Sequence, residues 1–247
     1  LNIGPSALYI FRDKRYPFNH AQRPPWPQDL IKNINQDFLF DSIKLLPSYI
    51  KYSELLSISD KPGFIEFYDL TFSGGRLSNC EELTRQNPVF KMNAQAKLLN
   101  QSLLKVNFRF DFSSPDYVHS AAGFLNPMPL NPLNSMISKS EPLAIEEGYL
   151  KRLDFDISFD QNQANGNLYL AYDNLKIAVL DYSGHEIKKA KLASFMANKM
   201  IINSKNPRKN QLVPVKINYE RDEERSILNY WWKSIYSGAK DVIGLNP

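Results

Sequence analysis

Tyr149–Leu180 reads YLKRLDFDISFDQNQANGNLYLAYDNLKIAVL, and this stretch decides the fold. Leu153, Phe155, Ile157 and Phe159 alternate with Arg152, Asp154, Asp156, Ser158 and Asp160. A period of two gives a strand one apolar face and one wet face. Gln161–Gly166 is a polar turn ending in glycine, after which Leu168, Leu170 and Tyr172 alternate again. Leu175, Ile177 and Val179 then resume in the opposite phase. One inserted residue moves every following side chain to the other face, so the break at Asp173-Asn174 predicts a bulge or bend.

The same pattern extends outward. Phe38, Phe40, Ile43 and Leu45 precede Pro47, and Ile50 and Tyr52 follow it. Ile65 and Phe67 give way to Leu70 and Phe72, a second change of phase beside Asp69, and Gly74-Gly75 marks a turn or bulge. Phe90, Met92, Ala94, Ala96 and Leu98 face Leu104, Val106, Phe108, Phe110 and Phe112 across the short turn Leu99–Ser102, which predicts a β-hairpin with an aromatic end. Residues 1–36 predict an irregular connector. Leu8–Phe11 has strand-like composition, but Arg23-Pro24-Pro25-Trp26-Pro27 is too rich in proline for a sheet interior. Trp26 is read as a ring plugging the edge of its own domain rather than as a groove-binding anchor.

Helical signals come late. Pro132 suits the first turn of a short helix ending near Ser140. Ile187, Leu192, Phe195, Met196 and Met200 predict a helix over about 187–203, stopped by Asn206-Pro207, and Val213, Val215 and Ile217 predict one more short strand. The last helix spans about 222–242, with Ile227, Leu228, Trp231, Trp232, Ile235, Ala239 and Val242 on one broad face. Acids at its start and lysines near its end suit the helix dipole, and Gly244 supplies a stop.

Composition bounds the function. The 247 residues are 43% hydrophobic and 23% charged, a foldable globular mixture. Thirty Lys+Arg against 26 Asp+Glu leave a net charge of +4 spread along the chain, without the concentrated basic face that nucleic acid requires. One cysteine, Cys80, makes no disulfide framework, and no run of eighteen apolar residues predicts a membrane-spanning helix. Leu1 in place of methionine reads as a cut or processed end, with any signal or anchor outside this chain.

Chemistry is scarce. His20, His119 and His185 are placed in separate loops without metal-ligand spacing. No glycine-rich phosphate loop or nucleophile elbow occurs. Asp154, Asp156 and Asp160 form an acidic ladder that is read as a solvated strand face rather than an acid–base or calcium site. No catalytic residue, metal or cofactor is predicted, and the chain is not read as an enzyme. The remaining signal is the length of the apolar strand faces. They close into a core, or helices 187–203 and 222–242 cover them, or part stays open as a groove.

The segment Glu147-Gly148-Tyr149-Leu150-Lys151-Arg152-Leu153-Asp154-Phe155, the strand Gly166–Ile177, the Leu130-Asn131-Pro132 turn, the Phe195-Met196-Ala197-Asn198 helix, the Asn206-Pro207 stop and the closing Tyr230-Trp231-Trp232-Lys233-Ser234 helix with Gly238 and Gly244 occur in one order. That order resembles the C-terminal region of AsmA-like proteins of Gram-negative envelopes, particularly the forms in the Bacteroidota. The similarity covers about Asp41 to Gly244. The resemblance implies a mainly β fold: a long twisted antiparallel sheet curled into a gutter or half-barrel, with two or three helices near the C-terminal end, all within a β-groove domain over 37–247. In that superfamily, which is similar to the TamB and chorein-type bridge proteins, such a gutter is thought to carry phospholipid between inner and outer membranes. Leu104, Val106, Phe108, Phe110, Phe112, Phe155, Ile157, Phe159, Leu168 and Leu170 are the residues expected inside it. Trp231, Trp232 and Tyr236 are expected either at a membrane surface or capping the groove. Phospholipid and an envelope or outer-membrane protein are the expected partners, in the periplasm, with an anchor outside this chain. The alternative is a β-rich scaffold subunit of an envelope complex that binds protein instead. A carbohydrate-binding sandwich ranks last, because the sequence lacks regularly spaced exposed rings.

Overall fold

A computed structural model describes residues 1–16, 23–56, 60–181, 188–189, 202–208 and 211–245. One large sheet dominates. Its antiparallel body runs in the order β4 (Ile43–Leu55), β5 (Gly63–Gly74), β7 (Val89–Leu98), β8 (Ser102–Asp111), β9 (His119–Leu125), β11 (Leu143–Phe159) and β12 (Gln163–Asp181). β10 (Met128–Pro129) adds to β11, while β13 (Lys188–Lys189) and β14 (Val215–Glu220) add to β12. β3 (Leu39–Phe40) and β6 (Leu77–Ser78) pair apart from it.

The sheet is mixed rather than antiparallel throughout. β1 (Asn2–Ile3) and β2 (Ala7–Asp13) both pair in parallel with β4, so much of the expected N-terminal connector is an edge of the sheet. The proline-rich segment that argued for a connector lies after this strand and leads into α1 (Pro27–Lys32). The sheet does not close: among the described residues β2 and β14 stay at opposite ends of the pairing order.

Both changes of phase in the sequence are backbone events. Asp69 and Asn174 have φ of 50° and 53°, and the pairing register slips beside each of them. Asp and Asn tolerate this left-handed conformation better than other non-glycine residues, which places the bulges there. Pro47 lies where β4 slips register between Leu45 and Ser48, a bulge position that needs no ladder donor. The predicted hairpin is β7–β8, turned by Leu99 and Asn100, both at positive φ. That turn sense matches the right-handed twist of the strands.

The helices differ from expectation in number and position. α2 (Glu81–Gln86) and α1 were not foreseen, and neither lies near the C-terminal end. Pro132 does begin a 3-10 turn (Asn131–Leu133) that leads into α3 (Asn134–Ser140). The expected helix over 187–203 falls largely outside the described residues, and its start is instead β13, paired with Leu180–Asp181. The last helix, α4, spans Ile227–Ile243. Glu223 and Glu224 therefore precede it, in a turn closed by Arg225 N–H donating to the Asp222 carbonyl. Gly244 ends α4 at φ 86°, with Gly244 and Leu245 N–H groups both donating to the Lys240 carbonyl.

Candidate functional site

Directly paired residues in a sheet share a face, so the register converts alternation into rows. One row runs Leu45–Phe72–Ala94–Val106–Gly123–Phe155–Leu168–Val215 from β4 to β14. The next runs Ile43–Gly74–Met92–Phe108–Ala121–Ile157–Gly166–Ile217. These rows form one apolar face across eight strands. Small residues lie beside large ones for a steric reason: a Cβ on Gly123 would stand 2.9 Å from the Phe155 ring and 2.3 Å from the Lys105 carbonyl. The opposite face carries Lys91, Lys105, Arg109, Asp154 and Asp156, which pair across the same strands.

α4 lies on the β12–β14 end of the apolar face. Its innermost line is Tyr230, Ser234, Gly238 and Val242, one residue per turn. Gly238 brings the helix down onto the sheet; a Cβ there would lie 3.1 Å from both Ile217 and Leu168. Ser234 is fully buried and donates to the Tyr230 carbonyl at 2.7 Å, so its hydroxyl is satisfied. Trp231 lies against Phe108, ring centroids 4.7 Å apart, and also contacts Phe110.

His119 is the polar centre of this packing. It begins β9 rather than lying in a loop, and it is buried. Its ring stacks on Phe159 at 4.8 Å and on Phe110 at 5.6 Å. Nδ1–H donates to the Tyr117 carbonyl at 2.8 Å, which leaves Nε2 to accept from Trp231 Nε1–H at 3.0 Å. Burial pushes the His119 pKa down to about 4, against the upward pull of the Tyr117 carbonyl; the nearby Arg221 lowers it further. Arg221 lies 3.8 Å over the Trp26 ring, and Trp26 stacks on Tyr117 at 4.9 Å. Trp26 is therefore buried in its own domain, as a plug rather than a groove-binding anchor. Arg221 Nε and both amide atoms of Gln28 are buried without a hydrogen-bond partner.

Of the ten expected groove residues, Phe110, Phe112, Phe155, Ile157, Phe159, Leu168 and Leu170 are buried in the protein's own core; Ile157 and Leu168 have no exposed surface. Phe110 and Phe112 belong to a second cluster with Ile43, Leu77 and Phe90, separate from the one around Ile157. Leu104, Val106 and Phe108 are only partly covered. Of the three α4 residues expected at a membrane surface or capping the groove, Trp231 lies over Phe108; Trp232 is 37% exposed and stacks on the half-buried Tyr236. Lys233 and Lys240 approach the Tyr236 ring at 5.2 and 5.3 Å.

No family model, curated protein or solved structure matches this chain.

Chemistry elsewhere is modest. Asp154 pairs with Arg152, and the Asp160 carboxylate accepts from Asn162 and Gln163 N–H in a turn. Among the described residues no three His, Cys, Asp or Glu side chains converge, and no helix is long and apolar enough to cross a membrane. A cleft between Leu77, Leu83, Thr84 and Phe112 holds about 20 Å³, room for one water and not for an acyl chain. His119, Trp26 and Arg221 were missed as a unit, since they lie far apart in sequence and only folding brings them together, the Trp26 and His119 rings edge to face at 5.8 Å.

Proposed function

We propose that this chain is a non-enzymatic, lipid-binding segment of a cell-envelope protein, in which part of the apolar sheet face curls into a groove for phospholipid acyl chains. The observation that carries the reading is a gradient along one face. At the β11–β12 end Ile157 and Leu168 are sealed, and Ile43 is buried in the second cluster, whereas Ile50, Ile65 and Phe67 on β4 and β5 and Leu104 and Val106 on β8 remain partly uncovered. An acyl chain leaving a bilayer for such a surface exchanges one hydrocarbon-like setting for another, while each methylene left in water costs about 0.8 kcal/mol. Lipid contact is thus assigned to the open half, and α4 with Trp231 forms the closed end of the track. The AsmA-like resemblance supports a periplasmic setting, an anchor outside this chain and movement of phospholipid between membranes.

A scaffold subunit that binds protein is the second reading. The burial of seven of the ten expected groove residues by native side chains favours it.

Native mass spectrometry of gently purified protein separates the two. Phospholipid adducts that are lost in Leu104→Asp and Ile65→Asp, while both variants keep their circular dichroism, support the lipid reading. Absence of adducts in the unaltered protein overturns it in favour of the scaffold.

A further inference from the structure

The free edge of the sheet carries an inference that does not depend on lipid. β2 is seven residues long, and its main chain faces β4 only at alternate positions. Lys14 N–H donates to Leu55 O and Tyr49 N–H donates to Ser6 O, both at 2.8 Å. In a parallel ladder these bonds fix the even-numbered residues of β2 toward β4 and turn those of Ala7, Tyr9, Phe11 and Asp13 outward. No described strand pairs with that side.

Edges of this kind are ordinarily defended by a bulge, a proline or a lysine. Ala7–Phe11 has none of these. Instead Leu8 is 50% exposed, Tyr9 69% and Phe11 60%. Tyr9 and Phe11 share the wet face, where Tyr49 supports the Tyr9 ring at 5.6 Å, and Leu8 and Ile10 continue the apolar face through Ile50 and Tyr52.

We propose that β2 pairs antiparallel with β2 of a second copy of this chain, about a two-fold axis at Ile10. Self-complementarity selects this occupant. Main-chain groups that point outward at odd positions meet odd positions when Tyr9 is set opposite Phe11 of the other copy and Ala7 opposite Asp13. Each exposed ring then lies beside an exposed ring. The charged run Arg12–Arg15 of one copy falls at the opposite end from that of the other, whereas a parallel pairing would align like charges. An axis perpendicular to the sheet also keeps both apolar faces on one side, so the two faces become continuous. A single seven-residue edge buries less than the roughly 1,200 Å² of a stable interface, so the association is weak and concentration-dependent.

The test is register-specific cross-linking of the whole chain in a Cys80→Ser background, beside light scattering over a concentration series. Ile10→Cys meets itself on the axis and forms a disulfide dimer under mild oxidation. Leu8→Cys, two positions off the axis, cross-links far less. Tyr9→Pro removes one outward donor without touching the bonds to β4 and weakens self-association about tenfold. Tyr9→Lys does the same by charge and covers the case in which proline disturbs the strand. A chain that stays monomeric to about millimolar concentration, or equal cross-linking at positions 8 and 10, overturns the proposal.

Discussion

The β11–β12 half of the sheet and the β2–β5 half carry the same alternation and end in different states. Around Ile157 the apolar face is dry, filled by α4, Trp26 and the stacked rings at His119. Around Ile50 the same kind of face stays partly wet, because the helix that packs on β5 there, α3, has seven residues against seventeen in α4. Alternation states that a face is apolar; it does not state what covers that face. Burial follows from the third dimension, here from one helix whose contact line has small residues, Ser234 and Gly238, at its centre.

The sharpest break of this comparison is a matched pair of truncations. Ile157→Ala leaves a cavity in a sealed row and should cost about 3 kcal/mol, whereas Ile50→Ala in the open half should cost about 1 kcal/mol. Urea denaturation measures both, and equal losses would show that the halves are packed alike.

Acid should act on the sealed half next. The unfolded chain protonates His119 near pH 6.5, and the folded chain resists until about pH 4. Stability from this group is therefore complete above pH 6.5 and is lost as pH falls through that window, by about 3 kcal/mol. His119→Gln should reduce the difference between urea midpoints at pH 7 and pH 4.5 relative to the unaltered protein. An undiminished difference would place the acid sensitivity in other groups.

A smaller effect has the opposite sign. Gln28 buries an amide with neither atom bonded, so Gln28→Leu should leave stability unchanged or raise it by about 1 kcal/mol in a thermal melt. A loss of stability would mean that the amide has a partner in solution. Smallest of all, Leu8→Ser at the open edge should stay within about 0.5 kcal/mol. A larger loss in the same melt would show that the edge is already covered in solution.

Much of the fold was legible. The β7–β8 hairpin, the β11–β12 pair, the bulges at Asp69 and Asn174 and the Gly244 stop all follow from period, phase and turn chemistry. The parallel edge was not, because β2 carries apolar residues on both faces and its pairing with β4 spans about forty residues of intervening chain. The contact face of α4 was legible in Ile227, Trp231, Ile235, Ala239 and Val242, which pack on the core, but its innermost line was not. Hydrophobicity picked out Leu228 and Trp232, both exposed, while the line against the sheet runs through Ser234 and Gly238, which carry no apolar signal. Close approach of backbone to backbone selects small residues there, not greasy ones.

By itself the sequence determined the strands, their two-faced character and the places where they break, since each depends on neighbours within a few residues. Tertiary structure alone decided which apolar rows are sealed and which stay partly exposed, and it alone stacked His119 on Phe159 and brought the Trp231 indole N–H to His119. Burial is a property of what lies opposite a side chain, and in this protein that partner is tens of residues away.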